Sequence, residues 1–265
     1  MKLIRKNLDE IDIFIQTINI FNMLKKISLG LVLFACSFTV KAQEIVMDTT
    51  ALTILDNMSQ IFGSMNSVGF DSHISRDIAF SNEVLVKEFV KNEIKIKGPN
   101  KFVTRIHGEN REELYKYNGN QVFYYSLNTN RYAVADAPDN IVETMDWLYT
   151  DFGIEFTAGD ILYPNFSKDL AENMDHIQFL GVVNLDGKRT FHILARNEII
   201  SVQFWITDGI YMFPDKIVMT YLDVDNHPQY EIRFSNWEVN HEYPESIFEF
   251  DPPPASKQIT WITEN

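Results

Sequence analysis

Hydrophobic residues change their period once in this chain, and that change decides what it can fold into. Between Ala51 and Met65, Leu55, Met58, Phe62 and Met65 recur every three or four positions, and Ile54 and Ile61 widen the stripe. That spacing predicts a helix with one buried face, and Asp48-Thr49-Thr50 offers its N-cap. From Val68 onward the period is two. Val68, Phe70, Ser72 and Ile74 alternate with polar residues, and strands follow over Glu83–Lys97, Lys101–His107, Glu112–Tyr117, Val122–Leu127 and Tyr132–Val134. Gly98-Pro99-Asn100, Asn118-Gly119 and Asn128-Thr129-Asn130 punctuate them, and Asn118-Gly119 predicts a type I′ hairpin turn.

A helical insertion interrupts this run. Pro138 stands at its first turn, Ile141, Met145, Leu148 and Phe152 form its stripe, and Gly153 is its natural stop. Short helical pieces are expected at Gly159–Leu162 and Lys168–Met174. A second β run covers Ile177–Val183, Thr190–Ala195, Ile200–Ile206, Lys216–Leu222, Gln229–Glu238 and Ile247–Phe250, with hairpin turns at Asp186-Gly187 and Asp208-Gly209. Pro252-Pro253-Pro254 stops pairing, and Gln258–Trp261 adds an edge strand. About ten antiparallel strands with segregated helices define an α+β fold. The simplest packing curls the sheet, as a half-open barrel, around the N-terminal helix and the mid-chain insertion.

Residues 1–42 read as separate from this domain. Met23-Leu24-Lys25-Lys26 opens a positive n-region, Ile27–Phe38 is a short apolar core, and Val40 and Ala42 stand at positions −3 and −1 of a cleavage site. That is the layout of a secretory signal peptide starting at Met23 and cut after Ala42. The first 22 residues, with Asp9, Glu10 and Asp12, read as an upstream extension. The run Ile27–Val40 is shorter than the roughly 20 apolar residues of a membrane span. Cys36, the single cysteine, lies inside the apolar core after Leu33-Phe34-Ala35. The alternative processing is cleavage before Cys36 and a lipid anchor on its thiol. Cleavage after Ala42 leaves a periplasmic or otherwise secreted domain, residues 43–265, without cysteine. Disulfides, thiolate catalysis and cysteine metal sites are then excluded.

Removing residues 1–42 takes away six cations and three anions and deepens the net charge from −14 to −17. Such a surface repels polyphosphate, so no nucleic-acid partner is expected. His73, His107, His176, His192, His227 and His241 form no HxH or HxxxH pair, and no metal or other cofactor is expected. Asp223, Asp225 and Asn226 lack the glycine and glutamate of a calcium loop and read as a hairpin tip. No GxSxG elbow, phosphate loop or dinucleotide glycine pattern occurs.

The order of several motifs carries a family resemblance. They are Lys97-Gly98-Pro99-Asn100-Lys101-Phe102, Tyr117-Asn118-Gly119-Asn120-Gln121, Gly159-Asp160-Ile161-Leu162, Gly181-Val182-Val183 through Asp186-Gly187 to His192-Ile193-Leu194, and Phe204-Trp205-Ile206. Phe213-Pro214-Asp215-Lys216, Phe234-Ser235-Asn236-Trp237 and Phe248-Glu249-Phe250-Asp251-Pro252-Pro253 complete the series. In this the chain resembles the LolA/LolB-like lipoprotein-carrier superfamily. Within it the chain is most similar to the predicted periplasmic protein family, domain of unknown function 2092. The resemblance implies a curved antiparallel sheet half-wrapping helices around an apolar cavity, and it carries over no catalytic residue.

The function expected is therefore a non-enzymatic one. A secreted binding protein would hold a lipid, a lipoprotein acyl chain or another apolar ligand between sheet and helices. A fourteen-carbon chain brings on the order of 10 kcal/mol at about 0.8 kcal/mol per CH₂, against association costs of about 4–15 kcal/mol. An apolar cleft then suffices, with almost no polar motif. Candidate lining residues are Leu55, Met58 and Phe62 on the helix, and Phe89, Phe102, Phe123, Tyr125, Phe191, Phe204, Tyr221 and Phe234 on the strands. An ordinary filled core competes for the same residues. Two alternatives stand beside the carrier: a glycan or ester hydrolase using carboxylate pairs such as Glu112-Glu113, Asp223 with Asp225, or Glu242 with Glu245, and an interaction module for a cell-envelope protein. The chain is expected to act as a monomer.

Overall fold

A computed structural model describes residues 46–81, 84–154, 156, 159–163 and 165–261. The expected signal peptide, its expected cleavage site and Cys36 lie outside the described residues. The chain enters with β1 (Val46–Met47) and α1 (Thr49–Gly63), then runs through β2 (Ser67–Ser81), β3 (Val84–Lys97), β4 (Lys101–Gly108), β5 (Glu112–Tyr117), β6 (Gln121–Ser126) and β7 (Arg131–Asp136). Helix α2 (Ile141–Phe152), a 3₁₀ turn (Gly159–Leu162) and α3 (Phe166–Asn173) form the insertion. The second meander is β8 (His176–Leu185), β9 (Lys188–Arg196), β10 (Ile200–Thr207), β11 (Pro214–Tyr221) and β12 (Gln229–Val239). A 3₁₀ turn (Glu245–Ile247) and β13 (Lys257–Gln258) end it.

Among the described residues these strands make one sheet in the order β1-β8-β9-β10-β11-β12-β2-β3-β4-β5-β6-β7-β13. It is curved and does not close into a barrel. The α+β half-open architecture read from the sequence is thus observed. The two meanders join where β12 pairs antiparallel with β2, from Tyr230 opposite Arg76 to Val239 opposite Val68. Each outer edge is covered by a two-residue parallel strand, β1 on β8 and β13 on β7. Covering an edge blunts its tendency to pair with another chain.

Helix α1 starts where the side chain of Asp48 accepts hydrogen bonds from the Thr50 and Ala51 backbone N–H groups, at 2.8 and 3.3 Å. The other oxygen of Asp48 accepts from the Phe179 N–H at 3.1 Å, beside the bulge that shifts the β8 register between Phe179 and Gly181. Those backbone hydrogen bonds hold the Asp48 carboxyl below its usual range. The buried stripe of α1 is Ala51, Ile54, Leu55, Met58, Ser59 and Phe62. With α3 it covers the second meander: Phe166 meets Phe204 edge-on at 5.8 Å, and Phe62 stacks on Phe213 at 5.6 Å. Helix α2 covers the first meander, setting Leu148 against Phe102, Tyr115, Tyr117 and Val122.

Three local expectations are corrected. Helix α2 begins at Ile141 rather than at Pro138, because Asn140 caps it by accepting from the Glu143 N–H at 2.9 Å. The Pro138 carbonyl instead accepts from the Tyr117 hydroxyl at 2.6 Å and the Thr144 hydroxyl at 3.2 Å. The Asn118-Gly119 turn is not type I′: only Gly119 has positive φ, and Asn118 Oδ1 caps the turn by accepting from the Asn120 and Gln121 N–H groups. Both residues of Asp186-Gly187 do have positive φ, at 52° and 84°.

The third correction concerns Ile247–Phe250, which is no strand. Residues 240–256 form a strap across the outer face of the first meander. Tyr243 and Phe248 are buried on it, and the Lys95 ammonium stands 5.4 Å from the Tyr243 ring centre. A Cβ at Gly69 would overlap the Tyr243 hydroxyl, so glycine there admits the strap. Glu245 pairs with Lys97 and Lys101, and Lys116 donates to the Glu249 carbonyl at 2.6 Å. Phe250 then packs against Phe123, Tyr125 and Tyr132 at 5.6 to 6.0 Å. Past β13 the chain hooks over the sheet edge, and Trp261 meets Phe152 at 4.9 Å.

The strap generates two predictions. Phe248→Ala should destabilise the protein by about 3–5 kcal/mol, as for an interior phenylalanine, when measured by denaturant unfolding. The ion pairs with Lys101 and Lys97 hold the Glu245 carboxyl at about 2, down from 4.5. A depressed carboxyl stabilises the fold above its unfolded value and loses that effect as pH falls through the folded one. The gap in melting temperature between wild type and Glu245→Gln should therefore be present at neutral pH and close as pH drops from 4.5 toward about 2.

Candidate ligand-binding surface

Strand alternation sorts the candidate lining residues onto two faces. Phe102, Phe204 and Phe234 pair with Ile96, Ile217 and Ser72 on the face that the helices cover, and Phe191 and Tyr221 share it. Leu55, Met58 and Phe62 meet that face from α1. All of these are buried except Phe191, which is half-buried.

Phe89, Phe123 and Tyr125 are corrections. Phe89 lies on the opposite face from buried Val90 and is 57% exposed. Phe123 and Tyr125 point outward, away from Val122 and Tyr124, into the aromatic cluster under the strap. A one-residue error of parity moves a strand side chain to the other face. The run Val122-Phe123-Tyr124-Tyr125 is apolar on both faces and offers no alternation by which to choose.

Beyond β7 the sheet edge carries a groove to which both faces contribute, Ala135 from the inner and Val134 from the outer. This open groove of about 620 Å³ is lined by Val134, Ala135, Phe152 and residues 258–261. Ligand pockets commonly enclose about 300–1,000 Å³. Partly exposed Trp147, Phe152, Ile154, Phe156 and Trp261 surround the buried cluster beneath α2 and extend its apolar surface toward the groove. The Trp261 indole N–H is enclosed and has no hydrogen-bond partner among the described residues. By sequence alone Phe152 belongs to a helix stripe and Trp261 to an edge strand. A tryptophan following a proline-rich stretch was the available signal for the groove.

A polar row crosses the inner face between β2 and β6. Register aligns Ser72, Asn92, Ile106, Glu113 and Ser126. Asn92 Nδ2 donates to Ser72 Oγ at 3.2 Å, and Tyr124 donates to Glu113 Oε1 at 3.2 Å. Asn92 Oδ1 and Glu113 Oε2 are enclosed without a donor among the described residues. The Arg111 guanidinium, 3.6 Å from Glu113 Oε2, forms an ion pair with it. Burial, followed by the Glu113 charge, pushes the Tyr115 and Tyr124 phenols up, so both remain protonated. An enclosed acceptor left unmatched costs about 1–3 kcal/mol.

The remaining polar groups are committed elsewhere. Glu112 and Glu113 are adjacent on a strand and face opposite ways, and Glu112 accepts from His107 at 3.1 Å on the outer face. Glu245 belongs to the strap, and Asp223 and Asp225 lie in the β11–β12 connection. His192 stacks on Trp205 at 4.4 Å, far from His107 in strand order. Among the described residues no group of three His, Cys, Asp or Glu side chains is placed to hold a metal ion.

A further apolar surface is the β2–β3 hairpin. Beyond Arg76 and before Val90 it has no ladder neighbour on either flank among the described residues. Ile78, Phe80, Val84 and Val86 are exposed along it, above the ion pairs Asp77–Lys87 and Arg76–Glu88.

Several solved structures are similar over most of this chain. An uncharacterised conserved protein from Thermus thermophilus is similar at 10% identity and TM-score 0.46, covering 80% of this chain and 99% of that one. A LolA superfamily protein from Nitrosomonas europaea is similar at 15% identity and TM-score 0.37, covering 76% and 97%. The lipoprotein LppX from Mycobacterium tuberculosis is similar at 10% identity and TM-score 0.42, covering 75% and 99%. No curated protein is significantly similar in sequence. No described helix is long and apolar enough to cross a membrane. Residues 51–262 match the family described as predicted periplasmic protein, DUF2092, and the chain belongs to that family.

Proposed function

We propose that this protein is an envelope carrier that holds an apolar ligand at one edge of the curved sheet, with no chemical step. The observation that carries the reading is the open groove at the β7 edge, bounded by Phe152 and Trp261 and continuous with partly exposed aromatics under α2. The apolar part of that lining, Val134, Ala135, Phe152, Ile259 and Trp261, favours a hydrocarbon chain at roughly 25 cal/mol per Å² buried, beside the polar Gln258 and Thr260. The carboxylate pairs considered for hydrolysis do not converge there, which favours binding over turnover.

The ligand chain would lie in that groove, beside the C-terminal hook and against Phe152 and Trp261. A fluorescent fatty-acyl probe added to the purified protein should bind saturably and brighten. Phe152→Ala and Trp261→Ala should each weaken that binding by about tenfold, since each removes a large apolar contact. A linear, non-saturable signal would end the carrier reading.

The same reading includes export, with the domain starting at Gln43 after signal cleavage. Mass spectrometry of protein recovered from an expressing bacterial envelope should show a chain beginning at Gln43. A chain beginning at an acylated Cys36 would establish the lipid-anchored form instead.

A further inference from the structure

We propose that the β2–β3 hairpin is a docking edge for another protein, which lays an extended, apolar segment with basic ends beside β3 as a further strand.

The hairpin outruns its neighbours. Strand β12 leaves β2 at Arg76, and β4 leaves β3 at Val90. A side chain closes each ladder there. Asp77 accepts from the Gln229 N–H at 2.8 Å, and Glu109 Oε1 accepts from the Phe89 N–H at 3.3 Å. The Phe89 N–H thus points to the open flank of β3. In an antiparallel ladder successive residues turn their backbone groups to opposite sides. Lys87 and Leu85 therefore turn N–H and C=O the same way as Phe89, and neither meets a strand on that side among the described residues.

The side chains around this edge are apolar. Ile78 stands opposite Val86, on the face that holds buried Ile74 and Val90 further down. Val84 shares that face, and Phe80, 77% exposed, lies in the bulge between Ala79 and Ser81. The hairpin's charges cancel across it, Lys87 against Asp77 and Arg76 against Glu88. What remains free is a row of backbone donors and acceptors bordered by exposed apolar side chains.

The occupant follows from that combination. Donors and acceptors alternating at strand spacing are matched by another extended backbone, which is how strand addition gains its affinity. A bilayer would bury the Leu85 and Lys87 backbone groups without partners, and the chain's net charge of −14 repels anionic lipid. A second copy brings the same charge, and two β3 edges paired about Lys87 set one ammonium opposite the other. Alternate apolar residues of the incoming strand meet Val84 and Val86, and basic residues at its ends suit Glu109 and the acidic surface.

The test uses the purified protein and a fluorescein-labelled peptide of alternating valine and threonine with a lysine at each end. The peptide should bind saturably and slow amide hydrogen exchange at Leu85 and Lys87 by at least about tenfold. Of two N-methylated forms, one at the valines and one at the threonines, only one should lose binding, by at least about tenfold, because only alternate amides face β3. Lys87→Pro removes one edge donor at a position whose N–H faces outward. It should weaken the peptide by a similar factor and leave the fatty-acyl probe bound as before. No saturable peptide binding, equal affinity of the two methylated forms, or unchanged exchange at Leu85 and Lys87 overturns the docking edge. Sedimentation with phosphatidylcholine vesicles that Phe80→Ser abolishes, or a dimer that Lys87→Pro dissociates, overturns it too, since either reveals a different occupant. If Lys87→Pro fails to fold, the two methylated forms on the wild-type protein decide.

Discussion

Everything in this molecule depends on one long-range pairing, that of β12 with β2. Each meander is built from neighbours in sequence, but the two become a single arch only where Tyr230 to Val239 zips along Arg76 to Val68. The seam is reinforced on the inner side by aromatics from both strands. Phe70 meets Phe234 at 5.8 Å and Trp237 at 4.6 Å, and Trp237 stacks on Phe213 at 4.4 Å. Such a contact must overcome the closure entropy of a long intervening chain. A dense aromatic cluster at the junction is a physical answer to that cost. Both helical covers take their positions from the arch so formed.

The inner and outer faces solve different problems. The inner face buries the helices, and its apolar rows are ordinary core chemistry except at Asn92 and Glu113. The outer face would be a plain solvated surface if the strap did not cross it. Four outward lysines, Lys95, Lys97, Lys101 and Lys116, instead meet a ring, a carboxylate and a carbonyl of the strap. Lys116 reaches the Glu249 carbonyl at 2.6 Å, and burial lowers its ammonium from the usual range.

The architecture was legible in the sequence because period and turn chemistry are local signals. The helix from Asp48, the Asp186-Gly187 hairpin and the Gly153 stop with φ of 62° all follow from the residues at those positions. Face assignment failed where a strand is apolar on both sides. Phe123 and Tyr125 are greasy for the sake of Phe250, more than a hundred residues away, and no local pattern reports that partner. The groove was hidden for the same reason, since its walls come from β7, the end of α2 and the C-terminal hook. Phe89 misled differently. It belongs to a hairpin longer than its neighbours, and only the register of β4 and β12 shows where their support ends.

Asp48 has a mechanical consequence. One of its oxygens holds the first turn of α1 and the other holds the backbone at the β8 bulge, while its own N–H donates to the Ile177 carbonyl at 2.9 Å. Helix and strand are thereby pinned at a single rivet. Sliding of α1 along the sheet would break both of the contacts by which Asp48 holds β8, so the helix and this flank of the arch are fixed to one another.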